Sequence, residues 1–421
     1  MQISLPRFAA RLVLASFAAV FISCDLYYSQ TDPYSDPPPV TVLSIRLPSY
    51  NKTFYDTSKI KFQEPVWFGE YSGIPGTFIT GELGGDLYLL EPIAGGFQKT
   101  LFGHIPAAKI TGNDGLLGLA FHPDFKNNHK YYVYYNPSGG HGILEERLAN
   151  SSFKSDEGFS RLILQNDFNY FVHNGGDVHF GKDGYLYLSL GDWGNPGNHD
   201  TLLGGNSQNL HVLNGKMIRI DVNSKTNGLQ YGIPSDNPFL NKPDTLIRKE
   251  IYASGFRNPW RWNFDPLNGK IYLGDVGNGI QEEVDTVKKG GNYGWPRLEG
   301  NSCYNDTNEF SPLKTCNSSG LVQPLAVITH DATSPNRAVI GGIVFRGNPA
   351  SPYYGAYVYG DCVTGTIYLR RPAQEQSTGI GTMLKGECVD SFGTDFKGNI
   401  YLVGYYTGII YRFNYPDLMA P

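Results

Sequence analysis

His173 and Asp192 bracket the run His173-Asn-Gly-Gly-Asp-Val-His-Phe-Gly-Lys-Asp-Gly-Tyr-Leu-Tyr-Leu-Ser-Leu-Gly-Asp192. An imidazole beside a carboxylate is the pairing that proton abstraction uses. The residues between them show how the two could meet. Tyr185, Tyr187 and Ser189 alternate with Leu186, Leu188 and Leu190, the period-2 pattern of a strand. Lys182-Asp-Gly184 ahead of that strand is turn chemistry, because glycine accepts the positive φ of a tight hairpin. A hairpin folds the start of its first strand, where His173 stands, towards the end of its second, where Asp192 stands. Two plainer readings stand beside this one: a histidine capping a strand end, and a turn aspartate in Gly191-Asp-Trp-Gly194.

The same strand phrase recurs along the chain. Its versions are Gly84-Gly-Asp-Leu-Tyr-Leu-Leu90, Asp183-Gly-Tyr-Leu-Tyr-Leu188, Asn268-Gly-Lys-Ile-Tyr-Leu273, Thr364-Gly-Thr-Ile-Tyr-Leu369 and Lys397-Gly-Asn-Ile-Tyr-Leu402, with His129-Lys-Tyr-Tyr-Val-Tyr-Tyr135 as a looser sixth. Several turns nearby carry a Phe and an Asp, as in Phe121-His-Pro-Asp124, Phe180-Gly-Lys-Asp183 and Phe264-Asp-Pro266. Six copies without a convincing helix between them predict an all-β fold, a six-bladed β-propeller of four-stranded antiparallel sheets over residues 42–421. A β-sandwich of hairpins is the alternative, and the recurrence of one phrase counts against it. In a propeller the loops at one end of the central channel converge, and that is where His173 and Asp192 would act.

Composition agrees. Aromatic residues make up 14% of the chain, with 29 Tyr, and 51 Gly supply turns; this mixture suits short strands better than long helices. The net charge of −5 gives no support to a nucleic-acid partner. Arg7 and Arg11 precede an apolar run from Leu12 to Ile22, which predicts a signal peptide over 1–23. Phe21-Ile-Ser-Cys24 resembles a bacterial lipoprotein cleavage box, so Cys24 is the expected lipid anchor and the only link to a membrane; Phe at its first position leaves ordinary secretion open. Pro33, Pro37, Pro38 and Pro39 make 24–41 an extended tether. The expected location is outside the cytoplasm, periplasmic or on the cell surface, or secreted. Four cysteines remain, an even number that in an exported chain suggests two disulfides. Three pairings are open; the local one joins Cys303 to Cys316 and Cys362 to Cys388. A zinc site is the weaker reading, as no Cys-x-x-Cys pair occurs.

A set of motifs then resembles one superfamily, the glucose/sorbosone dehydrogenases. These are Gly112-Asn-Asp-Gly-Leu-Leu-Gly-Leu-Ala-Phe-His-Pro-Asp-Phe125, His173-Asn-Gly-Gly176, Gly191-Asp192, Gly215-Lys-Met-Ile-Arg-Ile-Asp221, Gly255-Phe-Arg-Asn-Pro259, Asp275-Val-Gly-Asn278, Glu282-Glu283, Gly290-Gly-Asn-Tyr-Gly-Trp-Pro296, Gly341-Gly-Ile-Val-Phe-Arg-Gly347 and Ser391-Phe-Gly-Thr-Asp395. They run in order from about residue 60 to the end. The superfamily holds soluble quinoprotein glucose dehydrogenases and aldose sugar dehydrogenases, and also the propeller of hedgehog-interacting proteins, so membership alone does not establish catalysis.

The resemblance implies pyrroloquinoline quinone at the channel mouth, held by calcium, and oxidation of an aldose at its anomeric carbon to the lactone, with electrons passed to a respiratory acceptor. It implies His173 as the base and Asp192 as its orienting carboxylate. Arg257 and Asn258 would contact quinone and substrate, Arg257 stabilising negative charge on the reduced cofactor; Asn113 would lie beside the cofactor. The carbonyls of Gly277 and Asn278 would hold the calcium, and Glu282, Glu283 and Tyr293 a second, structural calcium. The other histidines, His122 and His330 among them, show no ligand spacing.

One part of the family pattern is missing. The best-known glucose dehydrogenases clamp the quinone carboxylates with a Lys and two Arg in the last blades. Here Tyr357-Val-Tyr-Gly-Asp-Cys-Val-Thr-Gly365 and Gly386-Glu-Cys-Val-Asp-Ser-Phe392 offer neither, and Glu387 brings the opposite sign. Calcium, Arg257, and Arg337 or Arg346 are the remaining positive charges. The alternative function is therefore a propeller that binds a glycan or protein partner without redox chemistry.

Overall fold

In the computed structural model the described residues run from 60 to 413, apart from 95, 108–113, 138–140, 168–171, 195–204, 227, 332–336, 352, 372–373, 375 and 384–385. The expected signal peptide, the tether with Cys24, and Asn113 lie outside the described residues. The chain divides into units Met1–Ser44 and Ile45–Pro421, and every described residue belongs to the second.

Six antiparallel sheets follow one another in the chain. The first holds β1 (Pro65–Glu70), β2 (Phe78–Glu82), β3 (Asp86–Ile93) and β4 (Gly96–His104); the second β5 (Leu116–Phe121), β6 (Lys130–Tyr135), β7 (His141–Ala149) and β8 (Ser155–Asp167). The third holds β9 (Gly175–Phe180), β10 (Leu186–Leu190), β11 (Lys216–Ile220) and β12 (Ile251–Ser254). The fourth begins β13 (Pro259–Phe264), β14 (Ile271–Asp275), β15 (Gln281–Val287), makes an excursion through the short hairpin β16 (Leu298–Glu299) and β17 (Ser302–Cys303), and ends with β18 (Ala326–Thr329). The fifth holds β19 (Val339–Val344), β20 (Tyr357–Asp361), β21 (Thr366–Arg370) and β22 (Thr378–Thr382). The sixth shows β23 (Val389–Thr394), β24 (Ile400–Gly404) and β25 (Ile409–Arg412), three strands among the described residues. The first strands of successive sheets touch one another, and β23 touches β1, which closes the ring. The fold is the expected six-bladed propeller.

The repeated phrase marks one strand in each blade, though not always the same one. It forms the second strand in blades two, three, four and six, and the third strand, β3 and β21, in blades one and five. Its sequence suits a blade sandwiched between neighbours. On β10 the leucines Leu186, Leu188 and Leu190 pack with Tyr132 and Tyr134 of blade two, while Tyr187 packs with Trp262 and Leu273 of blade four. Alternating side chains leave a strand on opposite faces, so both faces find apolar cover.

Both disulfides join the expected partners, Cys303 to Cys316 and Cys362 to Cys388. The second links the turn after β20 to the residue before β23, stapling blade five to blade six.

At the axis sits Arg261, carried by β13 and 3% exposed. Its Nη1 donates to the Leu117 carbonyl of blade two at 2.6 Å. Its Nη2 donates to the Val66 carbonyl of blade one at 2.9 Å and to Asp390 of blade six at 3.2 Å. Asp177 of blade three lies 4.0 Å away. One side chain thus joins five blades. Burial pushes the Asp390 carboxyl up to about 6 against the pull of Arg261. Burial would also raise Asp177, but His179 and Arg261 outweigh it and hold that group below the usual carboxylate range. Replacing Arg261 by Met leaves these carboxylates without their cation, and a broken buried pair costs about 3–5 kcal/mol. Urea unfolding of Arg261→Met is expected to show a midpoint lowered accordingly; an unchanged midpoint contradicts the role given to this residue.

Candidate functional site

The first strand of each blade runs away from one end of the ring and the second returns to it. His173 precedes β9 and Asp192 follows β10; Arg257 and Asn258 precede β13; Gly277 and Asn278 follow β14. All six therefore stand at the same end. The Phe-and-Asp turns after β5, β9 and β13 stand at the other, as does Arg346, which follows β19. Arg346 is bonded there to both oxygens of Asp265, at 2.8 and 2.6 Å, and is unable to serve as a cofactor cation.

The hairpin brings its ends together as its sequence predicts. Leu190 pairs with Gly175, and just beyond them His173 Nδ1 lies 2.7 Å from Asp192 Oδ1. The approach is close enough that a Cβ on Gly191 would stand 1.8 Å from the His173 carbonyl oxygen, so only glycine fits. His173 and Trp193 take φ of +56° and +64°, a left-handed conformation that costs about 1–3 kcal/mol at a non-glycine residue and clusters at functional sites.

Asp192 is fixed from three sides. The Gly194 N–H donates to Oδ1 at 2.8 Å and Trp295 Nε1 donates to Oδ2 at 2.7 Å, beside the imidazole. Its own N–H donates to the Arg257 carbonyl at 2.8 Å. Burial would raise this carboxyl, but the pull of His173 and Arg257 and the Gly194 bond outweighs it and holds Asp192 below the usual range. His173 is held below the ordinary imidazole value by burial and by the Arg257 charge, with Asp192 opposing. A carboxylate on Nδ1 fixes the tautomer with its proton there and leaves Nε2 as the acceptor.

Lys216, fully buried and within reach of the Asp192 charge, donates from Nζ to the carbonyls of Asn206 and Asn214 at 2.7 and 2.6 Å. Burial pushes it well below the usual lysine range, with Asp192 opposing.

Arg257 and Asn258 are held by Asp275, whose carboxylate accepts both backbone N–H groups, at 2.9 and 2.6 Å. Burial pushes Asp275 up to about 7. Asn258 Oδ1 accepts the Gly175 N–H at 3.1 Å, tying this loop to the start of β9. The Arg257 guanidinium donates to the Val276 carbonyl and to Asn278 Oδ1, at 3.0 and 2.9 Å, and lies 5.5 Å from the Trp295 ring centre. A hydrogen-bonded chain thus runs from His173 through Asp192 and Arg257 to the loop of Gly277 and Asn278.

That loop is drawn in by two buried carboxylates. Glu282 Oε2 accepts the Gly277 N–H at 3.1 Å, and Glu299 Oε1 accepts the next four, from Asn278, Gly279, Ile280 and Gln281, at 2.8, 2.8, 2.8 and 3.1 Å. Among the described residues no donor is bonded to the carbonyl oxygens of Gly277 or Asn278. Arg257 Nε is buried and without a partner. Two open carbonyls and a partly unused guanidinium fit a hard cation and an anionic cofactor.

The residues expected at a second calcium site have separate side-chain partners. Glu282 and Glu283 are consecutive on β15 and point to opposite faces of the blade. Glu282 Oε1 bonds His330 Nε2 at 2.7 Å and its Oε2 also accepts the Val339 N–H, whereas Glu283 accepts the Gly300 N–H. Tyr293 donates to the Thr286 carbonyl and stacks on Phe256. The three do not converge, and among the described residues no group of three His, Cys, Asp or Glu side chains is placed to hold a metal.

Among the described residues no Lys or Arg of the last two blades is bonded to a site residue. Glu387 turns its carboxylate to the N–H groups of Tyr406 and Thr407 within blade six. Arg337 stands at the site end of blade five but donates to Tyr368 and Asp331. Sequence reasoning missed Trp295, Glu299, Lys216 and His330. Trp295 and Glu299 arrive on the excursion between β15 and β18, where Trp295 reaches back 103 positions to Asp192 and Glu299 holds the loop of residues 278–281, and only the Gly290-Gly-Asn-Tyr-Gly-Trp-Pro296 motif drew attention to that stretch.

The electrostatics give a signed expectation. Asp192 is the group that raises the pKa of His173, so Asp192→Asn is expected to lower it further, read by NMR titration of the imidazole. A pKa that rises contradicts this account.

Comparison with known proteins places the chain. The family model for glucose/sorbosone dehydrogenase matches residues 70–387. The quinoprotein glucose dehydrogenase B of Acinetobacter calcoaceticus is 29% identical over 255 residues, covering 56% of this chain and 50% of the relative. The human Hedgehog-interacting protein is 27% identical over 328 residues, covering 70% and 41%. The chain spans half or less of the length of each of these two. Among solved structures, the quinone-bound aldose sugar dehydrogenase of Streptomyces coelicolor superposes with a TM-score of 0.60 at 20% identity, over 82% of this chain and 90% of that one, a likeness of fold. By the match over 70–387, this chain belongs to the glucose/sorbosone dehydrogenase family.

Proposed function

We propose that this protein is an exported sugar dehydrogenase that oxidises an aldose at its anomeric carbon to the lactone, with pyrroloquinoline quinone as cofactor. One observation carries the reading: the His173–Asp192 pair, 2.7 Å apart, stands at the same end of the ring as the open carbonyls of Gly277 and Asn278 and is linked to the loop that bears them through Arg257, which bonds the Val276 carbonyl and the Asn278 side chain. The dehydrogenase relative and the family support it.

The carbonyls of Gly277 and Asn278 would hold calcium and through it pyrroloquinoline quinone, which would supply an acceptor for the hydride from the anomeric carbon. The chain's own residues do the rest. His173 Nε2 takes the proton of the anomeric hydroxyl, because its Nδ1 proton is committed to Asp192. Asp192 keeps that tautomer and stabilises the imidazolium that forms. Arg257 presents positive charge beside the carbonyl loop. A respiratory acceptor would take the electrons onward. Export by the segment 1–23 and a lipid on Cys24, or secretion, agree with the two disulfides, which persist in oxidising compartments.

The second reading, a non-catalytic propeller that binds a glycan or protein, is favoured by one feature: among the described residues no Lys or Arg of the last two blades is bonded to a site residue, and Arg337 donates to Tyr368 and Asp331. The two readings part in one assay. Purified protein with calcium, the quinone and an aldose is expected to reduce an artificial electron acceptor. His173→Ala is expected to lower kcat by about 10²–10⁴-fold with the fold intact. Because His173 is held below 6.5, its neutral form persists to lower pH, so the acid limb of the rate profile is expected below pH 6.5. Failure of a folded wild-type protein to bind the quinone by calorimetry selects the binding module.

A further inference from the structure

We infer that Glu299 is a positioning residue that presets the carbonyl loop of residues 277–281 for its cation, an inference that rests on the proposed function. The residue has no counterpart in the roles assigned so far. It sits on β16, in the excursion of blade four, and is fully buried.

Its geometry is unusual. A single carboxylate oxygen, Oε1, accepts four consecutive backbone N–H groups, from Asn278 to Gln281, and Glu282 takes the fifth, from Gly277. A peptide unit points its N–H and its C=O in opposite directions. Gathering every N–H of the loop on the two glutamates therefore turns the carbonyls of Gly277 and Asn278 away from them. Those are the carbonyls with no bonded donor among the described residues. The loop has little slack: a Cβ on Gly277 would stand 1.9 Å from the Gln281 carbonyl oxygen and 3.1 Å from Glu299 Oε1.

The charge matters as well as the shape. Four N–H dipoles converging on one point favour an anion there. A buried carboxylate also adds negative potential behind the carbonyls, which a cation on their open side would feel. Glu299 touches neither substrate nor cofactor in this scheme; it acts through the peptide units of the loop. Leu298 packs against Gly294 and the Gly300 N–H donates to Glu283, so the hairpin that carries Glu299 has anchors outside the loop it holds, besides the bond from the Asn301 N–H to the Gln281 side chain.

The test compares wild type with Glu299→Gln, which keeps the shape and removes the charge. Three readouts are needed: calorimetric titration with calcium alone and with calcium plus pyrroloquinoline quinone, the melting temperature in excess chelator, and hydrogen exchange of amides 278–281. The expected result is a calcium affinity lowered about tenfold in Glu299→Gln, corresponding to about 1.4 kcal/mol, with loss of exchange protection at 278–281. A residue that served stability alone would lower the melting temperature and leave calcium affinity as it was, and that result overturns the inference. Should Glu299→Gln fail to fold, wild type decides alone. Amides 278–281 already protected without calcium, and unchanged on its addition, show a preset loop. Amides that become protected only when calcium is added overturn it. Wild-type protein that binds neither calcium nor quinone ends the catalytic reading and this role with it. Wild type that binds while the variant binds equally well ends this role alone.

Discussion

The Arg261 guanidinium at the axis is the contact on which the closed ring turns. Each blade buries apolar side chains against its two neighbours, and such packing sets the distance between adjacent blades without saying where the ring should close. Arg261 adds direction. It reaches carbonyls of blades one and two and carboxylates of blades three and six from its own place in blade four. A planar cation with fixed donors suits that task, since each donor has one direction of best approach. Removing such a cation is costly because its buried acceptors lose their charge partner together.

A similar device recurs at the site end, with the signs exchanged. There buried carboxylates collect backbone N–H groups: Asp192 from Gly194, Asp275 from Arg257 and Asn258, Glu282 from Gly277 and Val339, and Glu299 from four successive residues. Loops carry few regular hydrogen bonds of their own, and a buried N–H without a partner is expensive. Internal carboxylates supply the partners and fix the loops with little need for packing. The consequence is electrostatic. Burial pushes Asp275 up to about 7 although the Arg257 and Asn258 bonds oppose it, whereas His173, Arg257 and the Gly194 N–H together outweigh burial at Asp192 and keep it low. His173 responds to the same field: Arg257 helps to keep it neutral and Asp192 opposes.

The missing basic clamp also takes physical form. At the place where positive charge would be expected, blade six uses Glu387 to hold its own turn, and the Cys362–Cys388 disulfide fixes the neighbouring rim. Of the two arginines that remained as compensation, Arg346 is at the wrong end and Arg337 is bonded elsewhere. Among the described residues Arg257 is the arginine bonded into the site loops.

Sequence alone determined what is local or periodic. Six copies of one aromatic phrase announced six blades, because each blade needs a strand with apolar groups on both faces. The hairpin between His173 and Asp192 was legible because strand alternation and a Gly turn fix its register, and register places the two ends together. The disulfide partners were legible by proximity in the chain. The tertiary structure alone decided which distant residues complete the site. Trp295 reaches Asp192 across 103 positions, and Arg261 reaches Val66 across 195, and no local pattern encodes such spans. Consecutive glutamates looked like one donor set, but strand geometry sends Glu282 to the Val339 N–H of blade five and Glu283 to the Gly300 N–H of blade four's own excursion. Side-chain direction in a sheet follows position parity, and the partner on each side is set by how the blades stack around the ring.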